Sequence, residues 1–400
     1  MSSPDAVNCA ADPLLAPLLE QIESELPRAV ELRHRLHAQP ELSHAERGTA
    51  EALAAELPVP SETVAGTGLL ARIGRAGGAA VAVRAELDAL RVEERTGSEF
   101  SARGEAMHAC GHDVHMAALV ALARACDALG ERMPAALLAV LQPSEEAYPS
   151  GAEQLVRGEL AAAGPSAVVA AHVHPELPWG SVALDPGVVN ASCDAVEISV
   201  EGRATHGAYP HLGRDPILAL AQLVVALNAQ VTRRVDPLSP ALLTIGMIEG
   251  GSAENVIPGE ARARGALRAY SPENRRELRE LVEQVSEGVA AAHGCSARVE
   301  IVPGEPPLEN DPALVAAARA LLGASGLELA MPWRSCGSDD FAFFGEIAPV
   351  AMGFVGLNGA PGFKPRPLHH PEMLPPDAAV GAVARAQAVL YLAAARCAEG

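Results

Sequence analysis

The pattern of apolar and polar positions divides the chain into segments of different character. In the first part, three short and nearly unbroken apolar runs occupy 79–84, 136–142 and 167–172, each bounded by glycine, proline or charged residues. Such runs are typical of strands that are buried on both faces, as in a parallel sheet covered by helices. Apolar residues also recur at helical spacing over 14–36 and 115–129. This alternation of strands and helices predicts an α/β layer fold.

A different order of elements begins near Gly187. The pattern predicts strands at 194–200, 241–249, 260–269 and 297–302, and helices at 215–231 and from Ser271 to about His293. This β-α-β-β-α-β order is the signature of a ferredoxin-like α+β unit. Helical patterns at 312–326 and 376–395 then return the chain to the first fold. We therefore predict one domain made of residues 1–186 and 304–400, and an inserted domain of residues 187–303.

Composition and charge narrow the class of protein. The chain has 400 residues, of which 49% are hydrophobic, and this supports a large core in two domains. Its net charge of −20 argues against nucleic acid or an anionic membrane as the partner. Seven scattered cysteines are a poor disulfide framework and indicate a reducing compartment. The start has no basic targeting segment, and no apolar run reaches the roughly 18 residues of a membrane helix. The prediction is a soluble cytoplasmic protein.

Residues that can bind metal or move protons collect in one stretch and at the ends of the predicted strands. The stretch Met107 to His115, MHACGHDVH, contains three histidines, a cysteine and an aspartate. Polar residues follow each buried strand: Glu86 and Asp88, Glu145 and Glu146, and His172, with His369 and His370 before the last helix. Side chains at the carboxyl ends of strands in an open α/β sheet meet in one crevice, so we expect these residues to converge.

The chemistry of this set suits a pair of divalent ions. Its sulfur, nitrogen and oxygen donors outnumber the ligands that one tetrahedral ion takes, and they are Cys110, His112, Glu146, His172 and His369. Two ions that share a bridge activate a water and polarise a carbonyl, as amide hydrolysis requires. Adjacent residues rarely point the same way, so Glu145 is left as a candidate base. Two other interpretations remain open: an incidental Cys-x-His pattern, and a thiol nucleophile at Cys110 activated by His112.

The ordered motifs resemble a known family, the amidohydrolase branch of the dinuclear metallopeptidases. It includes aminoacylases, hippurate hydrolases, indoleacetyl-amino-acid hydrolases and, more distantly, bacterial carboxypeptidases. The resemblance covers almost the whole chain and is carried by RHRLHAQPELSHAE (33–46), RAELDAL (84–90), MHACGHDVH (107–115), QPSEEAYPSGA (142–152), AHVHPELPWG (171–180), ATHGAYPHLGRDP (204–216), GSAENVIP (251–258), CGSDDFAFF (336–344) and LHHPEMLPPD (368–377).

The resemblance assigns roles to individual residues. The metal ligands would be the five donors named above, Glu145 would be the general base, and Asp88 would orient the metal site. The inserted domain would be a lid and dimerisation module, with His206 stabilising the tetrahedral oxyanion. The substrate carboxylate would be held by Asn255, Arg268 and the backbone at Gly337. The chain departs from the family pattern at Glu86, Arg91 and Asp339, where Asp, Pro and Glu are usual.

Together these observations predict a metal-dependent enzyme that hydrolyses the amide bond of N-acyl amino acids through direct attack by a metal-bound hydroxide, with Glu145 as the proton shuttle. The expected cofactors are two divalent ions per subunit, zinc or manganese, with cobalt or nickel as alternatives. The expected assembly is a homodimer or higher homo-oligomer through the inserted domain. Two rival functions are a dipeptidase or carboxypeptidase of the same superfamily, and a non-enzymatic metal or ligand binder.

Overall fold

A computed structural model of the protein describes residues 12–75, 77–236 and 238–398. Residues 1–11, where a basic targeting segment was sought, lie outside this description. The α-helices are α1 (Leu15–Ala38), α2 (Arg47–Ala54), α3 (His112–Leu129), α4 (Gly151–Arg157), α5 (Glu159–Ala163), α6 (Pro216–Arg234), α7 (Pro272–Ala292), α8 (Pro312–Leu322) and α9 (Ala378–Cys397).

The strands are β1 (Glu62–Val64), β2 (Gly68–Ile73), β3 (Ala80–Glu86), β4 (Ala136–Gln142), β5 (Ala167–Pro178), β6 (Ser181–Ala183), β7 (Gly187–Asn190), β8 (Ser192–Glu201), β9 (Thr205–His206), β10 (Ala241–Gly250), β11 (Val256–Ile257), β12 (Glu260–Ala269), β13 (Ser296–Pro303), β14 (Leu308–Asn310), β15 (Glu328–Leu329) and β16 (Val350–Asn358). Short 3₁₀ helices occupy Gly130–Arg132, Pro210–Leu212, Gly323–Ser325 and Asp340–Glu346.

The described chain divides into two compact units. Unit 1 comprises the described residues within Met1–Gly187, Glu309–Trp333 and Asp340–Gly400. Unit 2 comprises Val188–Leu308 and Arg334–Asp339. Unit 2 therefore contains a short segment that the predicted insertion at 187–303 did not include. The backbone N–H of Ala191 donates to the carbonyls of Ser335 and Gly337, both at 3.1 Å, which joins this segment to unit 2.

The sheet of unit 1 is mostly parallel, as the apolar runs predicted. Its strand order is β1-β2-β4-β3-β5-β16-β6-β15, and the four central strands β4, β3, β5 and β16 run parallel to their neighbours within that group. Every residue of β3 and of β4 is buried. Both faces of these strands are covered, which explains their continuous apolar sequence.

The helices α1, α3 and α9 pack with this sheet in one hydrophobic core. Helix α1 continues through Pro27 without a break. Helix α3 begins at His112, three residues before the start that the hydrophobic pattern indicated. The earlier start places His112 in the first helical turn, beside Asp88, which follows β3, and beside His172 within β5.

Unit 2 has the predicted ferredoxin-like fold. Its sheet has the strand order β10-β12-β8-β13, with antiparallel neighbours throughout. Helices α6 and α7 pack on the sheet and against each other, and the buried residues Val196, Ile198 and Val200 alternate along β8. One face of the sheet thus supplies the core of this unit.

Two of the described helices, α6 and α9, are long and apolar enough to cross a membrane, with mean hydropathies of 1.2 and 1.5. The helical window of α9 is 89% buried and that of α6 is 33% buried. Length and composition are weak evidence here, because the core helix of a soluble protein passes the same test. The residues of α9 pack in the hydrophobic core of unit 1.

Candidate active site

The loop before α3 brings Cys110 and His112 beside Asp88, which follows β3, and beside His172 in the middle of β5. Gly111 lies between them at the N-cap of α3 with φ +88°. A Cβ at this position would lie 2.5 Å from Cγ2 of Val173. Only glycine combines the left-handed backbone with this close approach to β5, so the loop conformation depends on it.

The five predicted metal ligands converge within unit 1. Their donor atoms form two triplets in which all atoms lie within 4.8 Å of one another: Cys110, His112 and His172 in the first, and Cys110, Glu146 and His369 in the second. Cys110 belongs to both. These donors would hold two neighbouring cations, and Cys110 would be within reach of both.

The chemistry of the donors fits divalent ions. The Nε2 atom of His112 is buried and makes no hydrogen bond, and the buried Oε1 atom of Glu146 lies 3.3 Å from Nε2 of His369, another candidate ligand. Burying polar atoms in this way is costly unless a ligand satisfies them. Thiolate, imidazole and carboxylate are the donors that zinc and the neighbouring transition metals take. The residues present therefore fit the metal pair that the sequence predicted.

Hydrogen bonds orient both buried imidazoles. The Nδ1 atom of His112 lies 2.8 Å from the carbonyl oxygen of Asp88, and Nδ1 of His172 lies 2.7 Å from the carbonyl of Val173. Each Nδ1–H can therefore donate to a carbonyl, which leaves Nε2 as the donor to a metal. The Nε2 atom of His172 lies 3.5 Å from Sγ of Cys110, so these two donor atoms of the first triplet are close together.

Asp88 supports the site through its backbone and its side chain. Besides the carbonyl that accepts from His112, its Oδ2 atom accepts from the backbone N–H of Glu146 at 2.9 Å and from the hydroxyl of Ser43 at 2.6 Å. Burial raises the pKa of Asp88. The side chain thus ties the end of β3 to the loop that carries Glu145 and Glu146.

The neighbouring carboxylates of Glu145 and Glu146 face His112. The Nε2 atom of His112 lies 3.9 Å from Oε2 of Glu145 and 4.0 Å from Oε1 of Glu146. The preceding Ser144 has φ +51°, and its N–H donates to Oε1 of Glu46 at 2.8 Å. A non-glycine residue in this conformation is strained and is kept there by its surroundings. The turn directs both glutamates to the site.

The electrostatics of the site suit a bound cation. Burial holds the pKa of His172 well below its usual range, which keeps the ring neutral. Burial opposes the ionisation of Glu146, but the hydrogen bond with His369 lowers its pKa. Although burial also disfavours charge on His112, the carboxylates of Glu86 and Asp88 raise its pKa. The same negative field favours a metal ion at this point.

A buried network behind the site was missed by sequence reasoning. Arg33 of α1 is fully buried and donates from Nε to Oδ2 of Asp113 at 2.9 Å, and from Nη2 to the carbonyl of Pro375 at 2.6 Å. Nδ1 of His37 lies 3.0 Å from the same carboxylate oxygen. Asp113 follows the candidate ligand His112, so α1 braces the start of α3. The motif RHRLH at 33–37 carried the family resemblance but no role.

Glu86, one departure from the family pattern, is buried beneath the site. Its Oε2 atom lies 2.8 Å from Nδ1 of His115, and it also pairs with Arg84. The backbone N–H of Val173 donates to Nε2 of His115 at 3.0 Å, so both ring nitrogens of this histidine have partners. The extra methylene of Glu86 is accommodated by an ion-paired network, and His115 acts as a support for β5. Arg91 is exposed and pairs with Glu105 at 3.1 Å.

The predicted substrate residues of unit 2 form two pairs. His206 is exposed on β9, which pairs with β11, and the backbone N–H of Gly207 donates to the carbonyl of Asn255 at 2.7 Å. Nη1 of Arg268 donates to the carbonyl of Cys336 at 2.9 Å, beside Gly337. Asp339, the last departure, is buried at the end of this segment of unit 2. Among the described cysteines no disulfide bond is formed.

The chain is similar to known proteins over most of its length. A model of the peptidase family M20/M25/M40 matches residues 82–391. An N-acetyl-L-cysteine deacetylase of Bacillus subtilis (strain 168) is 35% identical over 347 residues, which cover 85% of this chain and 82% of that relative. An N-acetyldiaminopimelate deacetylase of Bacillus licheniformis is 33% identical over 329 residues, covering 81% and 86% of the two chains.

A solved structure is similar over nearly the same extent. The YXEP protein of Bacillus subtilis, described as a dinuclear metal binding peptidase from the M20 family, superposes with a TM-score of 0.80 at 28% identity, covering 92% of this chain and 98% of that one. The family model spans well over half of the chain, and the two relatives are about one-third identical to it over most of their length. These matches establish that the chain belongs to peptidase family M20/M25/M40, a family of hydrolases.

Proposed function

We propose that the protein hydrolyses the amide bond of N-acyl amino acids. The observation that carries this proposal is the pair of donor triplets that share Cys110. The carboxylates of Glu145 and of the candidate ligand Glu146 both face the imidazole of His112 beside them. The two named relatives are deacetylases of N-acetylcysteine and N-acetyldiaminopimelate, which are N-acyl amino acids. A linear amide next to a carboxylate is therefore the substrate class that the site and its relatives support.

Each residue of unit 1 has a distinct part in the proposed reaction. The five donors would hold two divalent ions, zinc or manganese, which activate water and polarise a carbonyl when bound. Glu145 takes a proton from the attacking water and later gives it to the leaving amine. Asp88 fixes the ring of His112 and the backbone of Glu146, so it is a positioning residue. The products are a carboxylic acid and a free amino acid.

The proposal extends to unit 2. The guanidinium of Arg268, the amide of Asn255 and the backbone N–H of Gly337 are donors suited to the free carboxylate of the substrate. The imidazole of His206 is a donor suited to the oxyanion of the tetrahedral intermediate. A homodimer through this unit is supported by exposed apolar side chains on α6 and β10, which are Ile217, Leu218, Val225, Met247 and Ile248. A cytoplasmic location remains part of the proposal.

Replacing Glu145 by Gln tests the proposed function. The amide cannot accept a proton, so kcat should fall by about 10²–10⁴-fold while the metal content stays the same. The assay is hydrolysis of a panel of N-acetyl amino acids by protein that has been chelated and reloaded with zinc or manganese, with metal content measured in parallel. Glu131→Gln is the matched control, because Glu131 is exposed at the far end of α3. Near wild-type turnover in Glu145→Gln would remove Glu145 from this role.

The same assay separates the rival functions. A dipeptidase or carboxypeptidase would prefer peptides to N-acetyl amino acids when both are offered at equal concentration. A thiol hydrolase would lose activity on alkylation and keep it after chelation, whereas the proposed enzyme depends on metal. Bound metal without hydrolysis of any amide in the panel would identify a binding protein.

A further inference from the structure

An aromatic cluster lies on the face of the unit 1 sheet that carries His172. His174 follows two residues later on β5, so its side chain points to the same face. Phe354 of β16 is directly opposite His172 in the parallel register. The ring of Trp333 packs against the rings of His174 and Phe354, at centroid distances of 4.5 Å and 4.3 Å. Trp333 therefore contacts two residues that lie on the same face of the sheet as a candidate ligand.

Trp333 is held in place by its backbone. Its N–H donates to Oδ2 of Asp185 at 2.9 Å, and the other carboxylate oxygen of Asp185 accepts from Nη2 of Arg319 at 2.7 Å. Arg319 is itself fixed, because Nε donates to the carbonyl of Leu184 at 2.8 Å. The indole is thus supported from behind by Phe354 and along the backbone by an ion pair. A ring with few alternative positions loses little entropy when a ligand packs on it.

The exposure of this ring is what points to a ligand. Phe354 is 5% exposed, whereas Trp333 and His174 are only partly buried, so the outer part of the cluster is accessible to solvent. Isolated apolar residues are common on protein surfaces and need no explanation. This indole differs because it is anchored beside a candidate metal ligand, in a chain that has only two tryptophans. Apolar walls with a few polar groups are the usual lining of small-molecule sites.

We propose that Trp333, backed by Phe354 and His174, forms the wall of a subsite that takes an aromatic or large aliphatic group of the substrate. This inference rests on the proposed function, since it assumes that an amide is held at the neighbouring metal centre. The apolar group is either the acyl chain or the side chain of the amino acid. Both present the same surface to the indole, and the two arms of the experiment distinguish them.

The kinetic test compares matched substrate pairs. N-acetylalanine and N-benzoylalanine differ in the acyl group alone, and N-acetylalanine and N-acetylphenylalanine differ in the amino acid alone. Trp333→Ala should reduce kcat/KM for the aromatic member of one pair by about tenfold relative to the small member, and Trp333→Phe should restore most of this selectivity. Met331→Ala is the control for a change in the same segment, because Met331 is 82% exposed.

A binding test does not depend on turnover. Trp179→Phe leaves Trp333 as the only tryptophan in the chain, so its fluorescence reports on the proposed wall. In metal-loaded protein, benzoate should change the emission saturably if the subsite takes the acyl group, and phenylalanine should do so if it takes the amino-acid side chain. Acetate and alanine should cause no change. Addition of Trp333→Phe to this variant removes the signal and serves as the blank.

The outcomes separate the subsite from the proposed function. Unchanged selectivity in Trp333→Ala, with N-acetylalanine still hydrolysed, overturns the subsite and leaves the function intact. An equal fall in kcat/KM for both substrates of each pair also overturns the subsite, because Trp333 would then have only a structural role. If the wild type hydrolyses no amide, the proposed function fails, and the fluorescence response to the aromatic acids decides alone whether the subsite exists.

Discussion

At the scale of single residues, charges buried far from solvent stabilise the start of α3. Asp113 accepts from Arg33 and His37, and Nε2 of His37 lies 3.3 Å from Oε1 of Glu94. All of these side chains are at most 1% exposed. A buried ion costs several kcal/mol when it loses its partner, so each member of this network depends on the others. The network fixes Asp113, the residue next to His112.

His37 should make the stability of the protein depend on pH. Burial disfavours its charged form, but the carboxylates of Asp113 and Glu94 raise its pKa from 6.5 to about 9. Because the folded-state pKa is the higher one, the stabilisation is complete below pH 6.5 and disappears as the pH rises through 9. The full effect is on the order of 3 kcal/mol. His37→Gln should therefore lower the free energy of unfolding near pH 6 and have little effect near pH 10.

Urea unfolding of chelated protein at several pH values measures this difference. Chelation keeps pH-dependent metal binding out of the comparison. His211→Gln is the control, since His211 is exposed in unit 2. A gap between wild type and His37→Gln that stays constant from about pH 6 to about pH 10 would contradict the assignment of the titration to His37.

The residue scale also shows where sequence reasoning stops. Cys110 and His112 could be recognised as candidate ligands because they are two residues apart, Glu146 because it follows an apolar run, and His172 because it ends one. Arg33 and His37 also lie in a run of polar residues, but their shared partner is Asp113, which is 80 and 76 positions away in the sequence. Trp333 likewise acquires its neighbours only when β16 inserts beside β5. Partners this distant are set by the tertiary fold, which a local pattern does not contain.

At the scale of elements, the site depends on where α3 begins. A helix that began at 115, as the apolar spacing indicated, would leave His112 in the preceding loop. The left-handed Gly111 instead turns the chain into the helix at His112. Hydrophobic periodicity could not detect this start, because the first turn is polar and buried against other polar groups. Helix starts of this kind are determined by contacts with neighbouring elements as well as by the core-facing residues.

Gly111→Ala should therefore weaken both the fold and metal binding. The new methyl group would lie 2.5 Å from the side chain of Val173 and would also strain a backbone with φ +88°. A clash of this kind together with the strain costs about 1–3 kcal/mol of stability. The expected result is a lower unfolding temperature and a lower metal content after dialysis, both measured on the same preparation.

Gly130→Ala provides the matched control for this variant. Gly130 ends the same helix, has φ +52° and has no atom within 4 Å of an added Cβ. It should show the backbone strain without the clash, and it should keep its metal. Equal loss of metal in both variants would mean that helix stability alone, and not the position of Cys110 and His112, determines binding.

The strands show the same division between local and tertiary information. The apolar runs predicted β3 and β4 almost to the residue, but they ended β5 at 172, whereas the strand continues to Pro178. Prolines and charged residues break the pattern there. Pairing with β16, in which His174 lies opposite Gly356 and Pro178 opposite Asn358, keeps the strand extended. The partner strand is far away in sequence, so this extension could not be predicted from a run of apolar residues.

At the scale of the whole molecule, the two units differ in chemistry. All five candidate ligands, the proposed base and the network around Asp113 belong to unit 1, whereas His206, Asn255, Arg268 and Gly337 belong to unit 2. The order of elements predicted an inserted fold of this type from the sequence. The segment Arg334–Asp339 was not predicted to belong to unit 2, because its six mostly polar residues lack the alternation of a strand. Backbone hydrogen bonds from Ala191 join it to that unit, and such bonds leave no pattern in the sequence.

Metal removal should therefore loosen unit 1 selectively. Ions that bind the folded state alone stabilise it by RT ln(1 + [metal]/Kd), or about 4 kcal/mol at a thousandfold excess over Kd. Since the donors come from the start of α3 and the loop before it, the loop after β4, the middle of β5 and the segment before α9, metal loss should increase local opening in the non-strand segments around 107–115, 143–147 and 368–377. Amide hydrogen exchange, followed by mass spectrometry on metal-loaded and chelated protein, measures this opening peptide by peptide.

Unit 2 supplies the internal control for this experiment. Peptides from β8 and β12 contain none of the candidate ligands, so their exchange should stay the same when metal is removed. His369→Ala, loaded with metal, should reproduce part of the chelated pattern near 368–377, because it removes one donor of the second triplet and leaves the first intact. Equal acceleration in peptides of both units would show that the metal stabilises the molecule globally and would contradict a site confined to unit 1. No change in either unit would contradict metal binding by these residues altogether.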